Sequence, residues 1–93
     1  KTLNGTISDR AKEAAQIVKN MGMDLASLDL VDGVVEATDT TFWFGFKDDV
    51  VIRLRSTEES KVQVDIRSVS RVGQSDLGVN ARRITEILAE FKN

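Results

Sequence analysis

Apolar and polar residues follow two different periods along this chain, and the changes between them mark out its elements. Ile7, Ala11, Ala14, Ala15, Val18 and Met21 recur at helical spacing, with Thr6 or Ser8 available as N-cap and Gly22 as terminator. This predicts a first helix over residues 8 to 21. Ala26, Leu28 and Leu30 then alternate with Ser27 and Asp29, and Asp32-Gly33 reads as a two-residue hairpin turn into a β-branched strand over Val34 to Thr41. Val50, Ile52 and Leu54 alternate with Val51, Arg53 and Arg55, and the polar Thr57-Glu58-Glu59-Ser60 reads as a turn. Val62, Val64 and Ile66 resume the alternation against Gln63, Asp65 and Arg67. Leu77, Ala81, Ile84, Leu88 and Phe91 form one face of a closing helix.

The expected order is helix, four strands, helix. The two later strands place aliphatics on one side and Arg53, Arg55, Asp65 and Arg67 on the other, so the sheet has a dry face and a wet face. Two amphipathic helices cover only the dry one. The expected fold is therefore α+β: a two-layer sandwich in which a four-stranded antiparallel meander carries the N- and C-terminal helices on one face (α-β-β-β-β-α).

Composition bounds this picture. At 93 residues and 41% hydrophobic content the chain supports one modest core, so residues 1–93 read as a single domain. It begins at Lys1 rather than Met, which predicts a domain excised from a longer chain. No apolar run approaches the roughly eighteen residues needed to span a bilayer, and no signal-peptide pattern opens the sequence.

The chain has no Cys and no His, which excludes disulfides, thiolate nucleophiles, zinc sites of the usual Cys/His type and imidazole acid/base chemistry. No catalytic residue, metal site or cofactor is expected, and binding is preferred to catalysis. A net charge of −2 disfavours nucleic acid as a partner. The charges are unevenly spread: residues 24 to 49 carry seven acids and one Lys, residues 50 to 83 seven bases and four acids. Acid-against-base pairing across neighbouring strands accounts for that asymmetry.

Three groups of residues stand out. Arg67, Ser70, Arg71, Gly73, Ser75 and Arg82 surround the start of the closing helix, where free N–H groups, a positive dipole end and guanidinium forks are the ingredients of an anion site. The competing reading makes the same stretch a rigid clasp. In it Asp76 already occupies the helix N-terminus and the arginines pair with Asp48, Asp49 or Asp65, with Lys47 completing a salt-bridged corner. Asp48 and Asp49 are adjacent in an extended segment and point to opposite faces unless a bulge intervenes. The third group is an interaction surface of Trp43, Arg53 and Arg55. The segment FWFGFKDD at 42–49 holds four of the five aromatic side chains, and of these Trp43 has the parity of the wet face.

WFGFKDDVVIRLR at 43–55 and VDIRSVSRVGQSDLGVNARRI at 64–84, with the weaker EATDTT at 36–41, resemble the bacterial family catalogued as domain of unknown function 1499. The motifs occur in order and span about half the chain. Some relatives place this domain after membrane-spanning helices, so the resemblance implies a membrane-proximal location in the bacterial envelope, with the cytoplasm as the alternative. It supplies no reaction. Two functional readings stay open. One is a noncatalytic binding module whose wet sheet face and aromatic corner meet a protein or lipid partner. The other is a small anionic-ligand-binding domain or enzyme using the Arg67 to Asp76 loop with Asp48 and Asp49.

Overall fold

The computed structural model describes residues 1–40, 47–70 and 77–92. Its elements in chain order are β1 (Thr2–Asn4), α1 (Ile7–Asn20), β2 (Asp24–Asp29), β3 (Val34–Thr40), β4 (Lys47–Glu58), β5 (Lys61–Ser70) and α2 (Leu77–Glu90). The strands form one antiparallel sheet in the order β1-β5-β4-β3-β2. Strands β2 to β5 are the expected meander, and both helices contribute to a single core on one face of it, α1 over β2 to β4 and α2 over β5. The two-layer α+β sandwich is thus the observed architecture, with one more strand than the periodicity predicts.

That strand is β1. It pairs Leu3 with Val62 across the sheet and buries Leu3 to 1% exposure. Three residues with one apolar side chain are too short to show a period of two. Lys1 extends the tie: its carbonyl accepts from the Val64 N–H at 2.8 Å, and its Nζ donates to the Leu88 carbonyl at 2.8 Å, at the negative end of the α2 dipole.

Helix α1 starts where Thr6 Oγ1 accepts from the Asp9 N–H at 3.2 Å. It ends in a Schellman motif: the Gly22 N–H donates to Lys19 and the Met23 N–H to Val18, while Gly22 sits at φ +86°. Ala11, Ala14, Ala15, Ile17 and Val18 are buried, so small side chains let the helix lie close to the sheet.

Val50, Ile52, Leu54, Val62 and Val64 are at most 3% exposed, and Ile66 packs partly buried against them. The β2–β3 hairpin departs from expectation twice. A bulge between Leu25 and Ser27 turns Leu25, opposite the buried Ala37, toward the core and leaves Ala26 exposed. The turn has four residues, 30 to 33, rather than two, because Asp29 Oδ1 accepts from both the Val31 and Asp32 N–H groups at 3.0 Å. Gly33 closes that turn at φ +72°, buried so tightly that a Cβ on it would lie 2.6 Å from Ile7 Cγ2 and 2.6 Å from the Leu54 carbonyl oxygen.

Helix α2 is rotated from its expected orientation. Ala81, assigned to the inward face, is exposed, and the buried residues are Asn80, Arg83, Ile87 and Phe91, with Ile84 and Leu88 half-buried beside them. The cause lies in the sheet beneath, whose covered face ends in carboxylates.

Candidate functional site

The strand register carries the covered face past its aliphatic centre. Asp39 is opposite Asp48, Asp48 opposite Ser70, and Val50 opposite Ser68. All four polar residues share the parity of the core positions on their own strands. Arg83 descends into this end of the face from α2. Its Nη2 lies 3.0 Å from Asp39 Oδ2 and 3.0 Å from Asp48 Oδ2, while Nη1 donates to Ser68 Oγ and Asn80 Oδ1, each at 3.0 Å. Ser68 Oγ donates to Asn80 Oδ1 at 2.7 Å, and Asn80 Nδ2 to Ser70 Oγ at 3.4 Å. The buried Asp48 carboxylate, with the one-third-exposed Asp39 beside it, needs a cation, and a planar guanidinium satisfies both while reaching the neighbouring hydroxyl and amide. No buried side-chain N or O atom among the described residues lacks a hydrogen bond. The cluster is a closed lock that fixes the first turns of α2 over β3, β4 and β5.

The other face of the sheet carries no helix among the described residues. There Arg67 stands directly opposite Val51, Arg53 opposite Asp65, and Arg55 opposite Gln63. Arg55 Nη2 donates to Asp65 Oδ2 at 3.1 Å, but with side chains 65% and 49% exposed this pair contributes at most about 1 kcal/mol. Arg53 and Arg67 make no ion pair among the described residues. Val51, Arg53, Arg55, Asp65, Ile66 and Arg67 line a shallow, open depression of about 410 Å³. Toward β2 the same face turns acidic, with Glu36 opposite Val51 and Asp29 opposite Val34. The open face is therefore mixed: the guanidinium groups Arg53, Arg55 and Arg67 stand over β4 and β5 together with Asp49 and Asp65, while the described charges over β2 and β3 are carboxylates.

The residues singled out in the sequence are distributed across both faces. Of the anion-site group, Arg67 lies on the open face and Ser70 on the covered face, while Arg82 is exposed on α2, which packs on the covered side. The sheet separates Arg67 from Ser70 and Arg82, so these three do not converge. Arg71, Gly73 and Ser75 lie outside the described residues, as do Trp43 and Asp76. In the clasp group, Lys47 is exposed opposite Thr40. Asp48 turns inward, and Asp49 outward, where its Oδ1 accepts from Thr38 Oγ1 at 3.4 Å. The described partner of Asp48 is Arg83 and that of Asp65 is Arg55, where the clasp reading supposes Arg67, Arg71 or Arg82, of which Arg71 lies outside the described residues. Arg53 and Arg55 sit together on the open face, as their parity requires.

Sequence reasoning missed Asp39, Ser68, Asn80 and Arg83 as a unit. A signal was present: Asp48 has the parity of Val50, and Asp39 that of Ala37, so both carboxylates belong to the covered face and demand a cation from the helix above it. Among the described residues no cluster of three or more Asp, Glu, His or Cys is placed to hold a metal ion, and no helix is long and apolar enough to cross a membrane.

Comparison with known proteins agrees with this architecture. The family model described as Protein of unknown function (DUF1499) matches residues 1–91, and the chain belongs to that family. No curated protein matches it. Among solved structures it is similar to a chain in the crystal structure of the adenylate sensor from AMP-activated protein kinase in complex with 5-aminoimidazole-4-carboxamide 1-β-D-ribofuranotide (ZMP). The TM-score is 0.74 at 7% identity, over 97% of this chain and 92% of that one. Likeness at that identity shows a shared fold and nothing of the ligand.

Proposed function

We propose that this DUF1499 chain is a noncatalytic binding module whose open sheet face takes an acidic segment of a protein partner. The observation that carries the reading is the pair Arg53 and Arg67: two guanidinium groups beside the half-buried Val51, without an ion pair among the described residues. Arginine forks beside partly exposed aliphatic surface offer an acidic segment both charge-assisted hydrogen bonds and apolar contact. The chemistry elsewhere supports binding over catalysis. The chain lacks His and Cys, and its buried carboxylate, Asp48, is held by Arg83. A membrane-proximal place in the bacterial envelope, as the sequence resemblance implies, is part of this proposal.

A fluorescein-labelled Glu-rich peptide, followed by anisotropy, tests the reading. The expected result is salt-sensitive binding that weakens roughly tenfold or more in the Arg53→Glu/Arg67→Glu double variant. Binding that is unchanged by the double variant overturns it. Inorganic phosphate and vesicles containing phosphatidylglycerol serve as the other arms. The depression between the same arginines favours a second reading, a small anionic ligand, which is supported if phosphate binds in an Arg67-dependent way and the peptide does not.

A further inference from the structure

The open face of β4 and β5 carries a charge pattern complementary to its own reversal. Along β4 the outward residues run Asp49, Val51, Arg53, Arg55, and beside them on β5 stand Val69, Arg67, Asp65 and Gln63. When a second copy of the face is laid over this one, turned through half a rotation about an axis that crosses the strands between the Val51–Arg67 row and the Arg53–Asp65 row, each strand lies antiparallel over its own copy. Arg67 then meets the second copy's Asp65 and Arg55 meets its Asp49, and two-fold symmetry makes each contact twice. Arg53 stands over Val51 of the second copy, one strand away from that copy's Glu36, which is the β3 neighbour of Val51.

On β4 from Asp49 to Arg55 and on β5 from Gln63 to Val69, no two like charges meet in this arrangement. A half rotation about an axis running along β4 instead sets Arg53 over Arg53 and Asp49 over Asp49, so the charges select one orientation. The reach is also suitable. Stacked sheets lie about 10 Å apart, a gap that an arginine side chain crosses, and Arg53, Arg55, Asp65 and Arg67 are all exposed. Arg53 and Arg67, without an ion pair among the described residues, gain carboxylate partners, and the half-buried Val51 of each copy is covered beside the axis.

We infer that the open sheet face is a self-association surface that takes a second copy of this chain, face to face and related by a two-fold axis, with Arg67 paired to the copy's Asp65. Charge complementarity fixes the orientation of the two sheets, and the apolar surface at Val51 lies at the centre of the contact. This rests on the binding-module reading and names the partner whose carboxylates that face takes.

Sedimentation of the whole chain at low salt tests it. The mass is expected to rise from 10.3 kDa toward double as concentration increases, and to fall back with added salt. Arg67→Glu and Asp65→Arg each set like charges against one another and are expected to weaken the association roughly tenfold or more. Mixing these two single variants restores both pairs, because each chain supplies the charge that the other needs, and the mixture is expected to regain the association of the unmodified chain. A mixture no stronger than either variant alone overturns the two-fold pairing, and association equal in the unmodified chain and both variants overturns the site. The Glu-rich peptide separates this inference from the reading beneath it. An unmodified chain that stays monomeric up to about 1 mM, yet binds the peptide through Arg53 and Arg67, overturns the dimer and leaves the binding module standing. Peptide binding indifferent to Arg53→Glu/Arg67→Glu, in a chain that stays monomeric, overturns both.

Discussion

Arg83 Nη2 lies 3.0 Å from Asp48 Oδ2, with the two side chains 9% and 8% exposed, and this pair joins α2 to the middle strand of the sheet. Removing the guanidinium leaves Asp39 and Asp48 side by side without their cation. Arg83→Met is therefore expected to lower stability by about 3–5 kcal/mol in urea unfolding. Arg82→Met, one position along on the exposed side of the same helix, is expected to stay within about 0.5 kcal/mol.

Gly33 and Gly22 both have positive φ, but their surroundings differ. A Cβ at Gly33 meets Ile7 and the Leu54 carbonyl at 2.6 Å, whereas one at Gly22 meets nothing within 4 Å. Gly22→Ala is expected to cost about 1–2 kcal/mol from backbone strain alone. Gly33→Ala adds overpacking to that strain and is expected to cost about 1–3 kcal/mol more. Thermal unfolding of the two variants side by side checks the order.

Alternation along β4 gives a third test. Ile52→Ala is expected to cost about 2–5 kcal/mol and Arg53→Ala less than about 1 kcal/mol, because one side chain is fully buried and the other exposed. Comparable losses at the two positions would mean that the faces are misassigned.

The short N-terminal strand carries more stability than its length suggests. Leu3 is as buried as Leu54, so Leu3→Ala is expected to cost about 2–5 kcal/mol, while the exposed Thr2→Ala stays within about 0.5 kcal/mol. Denaturant midpoints of the two variants decide the matter.

These particulars show where sequence reasoning succeeds. The faces of β4 and β5 were legible because Val50 to Leu54 and Val62 to Ile66 alternate strictly, and helix α1 because Thr6 and Gly22 bracket its apolar stripe. The β2 register was not legible, since Leu25, Ala26 and Leu28 accommodate either parity until the bulge is placed. The orientation of α2 was not legible from its own residues. An Arg beside another Arg reads as solvent-facing, and only the carboxylates on β3 and β4, brought together by strand pairing, turn Arg83 inward. Of the candidate site, Arg53 and Arg55 followed from parity. Arg67 joined them by the same parity, whereas the inward direction of Ser70 emerged only once β5 was known to continue through Ser70.

The binding module proposed above takes its partner on the sheet face that carries no helix among the described residues. The direct measurement is an NMR titration of the labelled protein with the Glu-rich peptide, read as chemical-shift changes at every assigned backbone amide. The largest changes are expected on β4 and β5, at Val51, Arg53, Arg67 and Val69, fading with added salt. Changes centred on the exposed surfaces of α1 and α2, with those four amides unmoved, would contradict it.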